Sequence, residues 1–203
     1  MGKVTFDLSM SLDGFITGPD DNPQQGLGEG GERLHEWIYD LESFHSLHGR
    51  EGGEQNRDSE ILQESFSDVR GVVIGRRMYD NAHEQWGENP PFPGRVHIVT
   101  HRGQDPIVKG QTTYNFVTGG IESALDEARA DAAGKDVAIA GGADVVQQYL
   151  RAGLVDEFQV HVVPLFLGGG RRLFENLGDA PQLETVRVVE SPRVTHIKFR
   201  VLR

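Results

Sequence analysis

Hydrophobic and polar residues alternate near both ends of the chain. Residues 4–8 alternate strictly, which predicts a first β-strand with one buried face. Residues 158–162 and 195–201 follow the same pattern, and Glu190-Ser191-Pro192-Arg193 has the composition of a turn before the last strand. These patterns predict that the sheet ends in antiparallel strands.

The middle of the chain has apolar runs without alternation, each next to a segment with helical spacing. Such runs predict strands that are covered on both faces, as in parallel sheets. The predicted strands are residues 71–74, 96–99 and 137–140, and the predicted helices are 32–48, 61–66, 76–83, 121–132 and 143–151. The order of strands and helices predicts an α/β fold with a mixed, mostly parallel central sheet and flanking helices, formed by one domain over residues 1–203.

Composition narrows the classes of partner. The chain has 203 residues and a formal net charge of -11, which argues against a nucleic-acid or anionic-membrane partner. An anionic ligand would therefore need a local group of basic residues. There is no cysteine, and His45 and His48 at helical spacing lack a third ligand, so no metal is expected. No apolar run approaches the length of a membrane span, and the N-terminus begins directly with a strand pattern, so we expect a cytoplasmic protein.

The junction after residues 137–140 is the most informative local feature. The apolar strand is followed directly by Gly141 and Gly142 and then by a helix that begins Ala143-Asp144-Val145. Glycines allow a ligand to approach the backbone, and the free N–H groups at a helix start favour an anion. The junction therefore suggests a phosphate site, although a tight turn alone would give the same pattern.

Two other predicted strands end in comparable junctions. One is followed by Gly75-Arg76-Arg77 and the other by Thr100-His101-Arg102. Arginine offers a planar, permanently charged set of donors to phosphate. Because open sheets bind ligands beyond the carboxyl ends of their parallel strands, three such endings favour a nucleotide.

These motifs and their order resemble the dihydrofolate reductase-like proteins, specifically the reductase domain of bacterial riboflavin-biosynthesis deaminase-reductases. The resemblance spans nearly the whole chain and implies NADPH as hydride donor, a small-molecule substrate and, often, a homodimer. The substrate would resemble 5-amino-6-(5-phosphoribosylamino)uracil, or be another small heterocycle or carbonyl compound. The motifs are residues 11–16, 75–79, 141–143, 160–164 and 167–170.

The resemblance also implies roles for individual residues. The glycine pair would lie against the cofactor diphosphate, the arginines and Thr100 would face the 2′-phosphate, and Ser9, Ile16 and Thr17 would surround the nicotinamide. The implied cofactor-binding residues are Ser9, Ile16, Thr17, Gly75, Arg76, Arg77, Thr100, Arg102, Gly141, Gly142, Ala143, Asp144 and Val145. Closure of residues 18–31 would exclude water from the hydride path.

Asp13 and His161 are the candidate catalytic residues. Both have simpler interpretations, since Asp-Gly is a common turn pair and His161 could face solvent from its strand. The acid of folate reductases matches Ser59, and the acidic residues around it are typical of a solvated surface. Two alternatives to the reductase are a non-catalytic NADP-binding regulatory module and a dihydrofolate reductase with a displaced acid.

Overall fold

The computed structural model describes residues 2–202. Within them the chain forms eleven strands, five α-helices and one 3-10 turn, Gly31–Leu34. The strands are β1 (Val4–Ser11), β2 (Phe15–Thr17), β3 (Val69–Gly75), β4 (Gly94–Val99), β5 (Ile107–Lys109), β6 (Thr112–Val117), β7 (Asp136–Gly141), β8 (Glu157–Val163), β9 (Arg171–Arg172), β10 (Gln182–Glu190) and β11 (Thr195–Leu202). The helices are α1 (Glu42–Leu47), α2 (Arg57–Ser67), α3 (Arg76–Ala82), α4 (Gly120–Ala132) and α5 (Ala143–Arg151).

Nine strands form one mixed sheet in the order β10-β11-β8-β1-β7-β3-β4-β6-β5. The six strands from β8 to β6 run parallel, whereas β11 and β10 at one edge and β5 at the other pair antiparallel to their neighbours. The mixed, mostly parallel sheet with an antiparallel C-terminal edge is therefore confirmed. A second, two-stranded sheet joins β2 to β9.

The two faces of the sheet are covered by different segments. Helices α4 and α5 pack on one face, where Leu125 and Tyr149 join Phe6 and Phe158 in the largest apolar cluster. On the other face, residues 31–67 cover β1, β8 and β11 through a cluster that contains Trp37. No helix within residues 2–202 is both long and apolar enough to cross a membrane.

One predicted helix, residues 32–48, is wrong. The structure has the 3-10 turn, a run of turns and then the short α1, and Leu41 before α1 is extended with ψ 140°. Leu41 forms a bridge to Glu54, so the tertiary structure uses its backbone for pairing. Leu34, Trp37 and Leu41 are all buried in one cluster, which explains why their spacing imitates a helix.

Several strands of the structure have no clear signal in the sequence pattern. Strand β6 mixes threonine, asparagine and aromatic side chains, and Tyr114 is buried only where β6 lies beside β4. Strands β2, β5 and β9 have two or three residues each, which is too short for periodicity to detect.

Gly71 is a position where the fold tolerates no side chain. A Cβ there would lie 2.5 Å from the carbonyl oxygen of Ala128 in α4. We expect Gly71→Ala to reduce the free energy of unfolding by about 2 kcal/mol, since α4 must move away from β3. Urea denaturation measures the loss. Gly103→Ala is the control, because its Cβ would meet only a threonine methyl group, at 3.3 Å; equal stability losses for the two variants would contradict this packing.

Candidate functional site

The carboxyl ends of β3, β4 and β7 lie side by side. Gly75 is in register with Val99, and Ile74 is in register with Gly141. The three junctions that the sequence indicated therefore meet at one edge of the sheet. Because β1 is parallel to β7 and ends at Ser11, its C-terminal end opens onto the same edge.

The glycines of these junctions form a tight backbone cradle. Gly141 and Gly142 have φ values of 150° and 86°, the region that favours glycine. A Cβ on Gly141 would lie 2.6 Å from Met78 Sδ, and one on Gly75 would lie 3.0 Å from Val145 Cγ2. The first-turn N–H groups of α5 follow directly, with Ala143, Asp144 and Val145 as its first residues. Bare backbone beside a helix N-terminus fits a diphosphate.

Arg76 and Arg102 meet next to this cradle at a shared carboxylate. Arg76 Nε donates to Asp80 Oδ1 at 2.7 Å, and Arg102 Nη2 donates to Asp80 Oδ2 at 2.7 Å. Arg76 also donates to the Arg102 carbonyl oxygen at 3.3 Å, and the Thr100 hydroxyl accepts from the Arg102 amide at 3.0 Å. Arg76, Thr100 and Arg102 thus lie together beside Asp80.

Arg77 does not join that group. Its guanidinium binds the carboxylate of buried Asp21 and donates to the Asp21 carbonyl oxygen at 2.7 Å. Arg171 and Asn81 bind the same carboxylate at 3.2 and 2.9 Å. Successive helical residues point in different directions, so the pair Arg76-Arg77 had to diverge. The side chain of Arg77 connects residues 18–31 to α3, and Arg171 connects the same residues to β9.

Asp21 is a structural centre that the sequence pattern does not single out. Burial by itself would raise the pKa of Asp21, but hydrogen bonds and positive charge from Arg77 and Arg171 hold that pKa below its usual value. The sequence offers only a cluster of turn residues around it. The carboxylate holds three separate segments together, and it is ionised at neutral pH.

The residues expected around a nicotinamide lie at the end of β1 and in β2. The hydroxyl of buried Ser9 accepts a hydrogen bond from Trp37 Nε1 at 3.0 Å. Ile16 belongs to the largest apolar cluster, and the Thr17 hydroxyl accepts from the Arg171 amide at 3.2 Å. Their side chains are therefore fixed by neighbouring segments.

Asp13 anchors the loop after β8. Its carboxylate accepts hydrogen bonds from the Ser11 hydroxyl at 2.6 Å and from the amides of Leu167 and Gly168 at 3.1 and 2.8 Å. These bonds, with that of Ser11 the strongest influence, lower the pKa of Asp13 to about 2. An acid of this kind stays ionised and accepts hydrogen bonds.

His161 is buried and part of a continuous chain of polar groups. Its Nε2 binds Asp7 Oδ1, its Nδ1 lies 2.7 Å from His196 Nδ1, and His196 Nε2 lies 2.9 Å from Asp58 Oδ1. The Trp37 ring covers both imidazoles, with centroid distances of 4.7 and 5.2 Å. His161 therefore faces neither solvent nor an open pocket.

The Asp7–His161–His196–Asp58 chain contains a definite number of protons. Each of its three contacts needs one hydrogen, which is one more than two neutral imidazoles and two carboxylates supply. Burial lowers the pKa of His196 and outweighs the opposing effect of the hydrogen bond and charge of Asp58. The chain as a whole has a net charge of about -1 by this proton count.

Three of these four residues carry no specific signal in the sequence. The expectation that Asp58 belongs to a solvated acidic surface is wrong, because it is buried and also accepts from the Ser191 hydroxyl at 2.9 Å. His196 and Asp7 are, in the sequence, only polar positions of alternating strands. Alternation assigns each of them to one face of its own strand. Only the pairing of β1, β8 and β11 shows that they meet His161.

The comparisons with known proteins agree with this fold. Residues 2–197 match the family model described as the RibD C-terminal domain. The Bacillus subtilis (strain 168) protein named uncharacterized protein YwjB is 27% identical over 195 residues, which cover 89% of this chain and 87% of YwjB.

Three solved structures show the same architecture. A candidate riboflavin biosynthesis protein from Shewanella sp. PV-4 superposes with a TM-score of 0.70 at 18% identity and covers 99% of both chains. The deaminase/5-amino-6-(5-phosphoribosylamino)uracil reductase of Thermotoga maritima gives 0.63 at 14% identity, over 99% of this chain and 57% of that one. Dihydrofolate reductase from Enterococcus faecalis, complexed with NADP(H), gives 0.57 at 11% identity, over 100% and 98%. The dihydrofolate reductase-like fold is confirmed.

Removing the charge of Asp21 tests the three-segment contact. Asp21→Asn leaves Arg77 and Arg171, each about half exposed, without their shared carboxylate. We expect a loss of about 2 kcal/mol in the free energy of unfolding, reduced by solvent screening from the value for a fully buried pair. Asp20→Asn is the control because Asp20 is exposed. A similar, small loss in both variants would show that Asp21 is dispensable.

Acid should destabilise the protein partly through His35. Burial lowers the pKa of His35 from 6.5 to about 4, and its Nδ1 is enclosed without a partner. The folded chain thus binds this proton less readily than the unfolded chain, so stability is full above pH 6.5 and falls towards pH 4. In His35→Gln we expect the loss between pH 7.5 and 5 to be smaller by about 1 kcal/mol. His48→Gln, which replaces an exposed histidine, is the control in the same urea-unfolding series, and an equal effect of the two substitutions would contradict the role given to His35.

Proposed function

The chain belongs to the RibD C-terminal domain family, and from that premise we propose that it is an NADPH-dependent reductase. The acceptor would be a small heterocyclic or carbonyl compound. Hydride would pass from the nicotinamide to a C=N or C=O carbon, and this is the chemistry that NADPH supplies when bound. The protein itself would bind, orient and enclose the reactants.

One observation supports the proposal above all. Gly75, the Gly141-Gly142 pair and the Arg76–Arg102 group lie at the same edge of one sheet. The acidic chain has a net charge of -11, so two arginines gathered beside a glycine cradle need a specific reason. A dinucleotide with a diphosphate and a 2′-phosphate provides one. The Enterococcus faecalis dihydrofolate reductase, which shares this fold, is complexed with NADP(H), and that is consistent with this interpretation.

The chain's own residues would divide the binding between them. Backbone at Gly141, Gly142 and Ala143 and the N-terminus of α5 would hold the diphosphate. Arg76, with Arg102 and Thr100, would hold the 2′-phosphate. The sequence between Ser9 and Thr17 would supply the surface against which the nicotinamide lies, with Ile16 as its apolar part.

The contact at Asp21 would help to exclude water from the proposed cofactor site. It fixes residues 18–31 against α3 and β9 through Arg77 and Arg171, so this loop would lie closed beside the cofactor edge. A closed loop keeps water from the path of the hydride. Because Asp13 is held ionised, we do not assign it the proton donation; it would orient the substrate by accepting hydrogen bonds.

The substrate class follows from the family and from the structural relative in Thermotoga maritima, which is named as a 5-amino-6-(5-phosphoribosylamino)uracil reductase. A pyrimidine bearing a ribosyl or ribityl group is our first candidate. Arg171 and Arg172 of β9 would supply positive charge to such a substrate. Arg172 donates to the Asp13 carbonyl oxygen at 2.9 Å, so it lies beside the residue that would orient the substrate.

A non-catalytic NADP-binding module is a second candidate function. It is favoured because His161 is enclosed beneath Trp37 and has both ring nitrogens bound. The displaced-acid dihydrofolate reductase is less well supported, since Asp58 is committed to His196 and Ser191. Substrate-dependent NADPH oxidation separates an enzyme from a binding module.

We also propose that the protein forms a homodimer through its C-terminal edge. β10 is an edge strand, and Leu183, Val186 and Val188 on it are exposed, the last at 60%. An exposed apolar edge strand invites pairing with another chain. Analytical ultracentrifugation would give a dimer mass that Val188→Lys lowers to a monomer.

Nucleotide titration tests the cofactor proposal directly. We expect NADPH to bind and Arg76→Ala to weaken that binding about 30-fold, because it removes one charge-assisted contact of about 2 kcal/mol. Quenching of Trp37 and Trp86 fluorescence or calorimetry gives the dissociation constants. Arg95→Ala is the control, since Arg95 is an exposed arginine that pairs with Asp131 on α4, at 3.6 Å. If neither NADPH nor NADH binds to the wild type, both candidate functions are wrong.

A further inference from the structure

We infer that Asp80 is a specificity-determining residue of the nucleotide site: it occupies the anion position between Arg76 and Arg102 and limits the preference for NADPH over NADH. This inference rests on the proposed function. Asp80 would oppose the binding of the 2′-phosphate, whereas the residues named above would favour it.

The contacts around Asp80 are those that a phosphate would need. Both carboxylate oxygens are used, one by Arg76 Nε and the other by Arg102 Nη2, each at 2.7 Å. A carboxylate that bridges two guanidinium groups takes donor positions that would otherwise face a phosphate. The guanidinium of Arg76 also lies above the ring of Phe116, 5.3 Å from its centroid, which helps to hold it in this position.

The position of Asp80 on α3 keeps its carboxylate close to Arg76. It lies four residues after Arg76 on that helix, where the two side chains are neighbours. Arg102 has a side chain that is 69% exposed, whereas Arg76 is 19% exposed. An incoming dianion would therefore recruit Arg102 more readily than Arg76, and it would meet the Asp80 charge at short range.

The electrostatic consequence is a difference between the two nucleotides. Two arginines and one aspartate give this group a net charge of about +1 instead of +2. A 2′-phosphate gains the attraction of the arginines but also meets the repulsion of Asp80. A 2′-hydroxyl meets no such repulsion and can donate a hydrogen bond to a carboxylate oxygen. The Asp80 carboxylate thus weakens the binding of NADPH and strengthens that of NADH. Both effects reduce the preference for NADPH over NADH.

Asp80→Asn is the test, because an asparagine side chain can still accept from Arg76 but has no charge. We expect the dissociation constant for NADPH to fall about 10-fold, as loss of one nearby like charge allows, while that for NADH changes less than about 3-fold. The improvement should shrink when salt is raised from about 0.05 to 0.5 M, because exposed charges are screened. Titration with 2′-AMP and 5′-AMP should show the same contrast without a nicotinamide.

Glu84→Gln is the matched control. It removes the same charge one helical turn further along the chain, just after α3, and it should leave the ratio of the two dissociation constants unchanged. A ratio that Asp80→Asn does not alter, or weaker NADPH binding by this variant, overturns the inference while the proposed function stands. Absence of any nucleotide binding by the wild type overturns both. Circular dichroism shows whether the variant keeps the secondary-structure content of the wild type.

Discussion

The close approach of two backbones, at Gly75 and at Gly142, is the constraint on which the candidate site depends. A Cβ on Gly142 would lie 3.5 Å from Gly75 Cα, and a Cβ on Gly75 would already crowd Val145. The positive φ values of Gly141 and Gly142, and the 2.6 Å that would separate a Cβ on Gly141 from Met78 Sδ, favour glycine where β7 ends beside β3. That proximity places the N-terminus of α5 beside the start of α3, so backbone donors and Arg76 come to one edge of the sheet.

The charged side chains near this edge of the sheet form two groups, and in each group two arginines share one aspartate. In a chain of net charge -11, Arg76 and Arg102 share Asp80, while Arg77 and Arg171 share Asp21. The first group is partly exposed and suits an exchangeable anion. The second surrounds a buried carboxylate and fixes a loop. Two adjacent arginines thus have different partners, because one residue step along a helix turns the side chain by about 100°.

The other face of the sheet presents a separate electrostatic problem. Asp7, His161, His196 and Asp58 are largely buried under Trp37, and burial of charge is costly unless every group is hydrogen-bonded. All four are, and Gln159 and Ser65 add bonds to Asp7 at 2.9 and 2.6 Å. His161 is in register with Ser9, whose hydroxyl holds Trp37. The polar network therefore lies directly beside the residues where we propose that the nicotinamide binds.

The sequence by itself determined the α/β class, the helices α2 to α5, most parallel strands and the three junctions, because periodicity and glycine placement are local signals. It also indicated Arg76, Thr100 and Arg102 together, since strand ends of one parallel sheet must meet. Only the tertiary structure decided that residues 32–48 are mostly turns, that Arg77 binds Asp21, and that Asp58 and His196 complete a buried chain with His161. Those outcomes depend on partners 13 to 138 residues away in the sequence. A local sequence pattern carries no information about contacts between such distant residues.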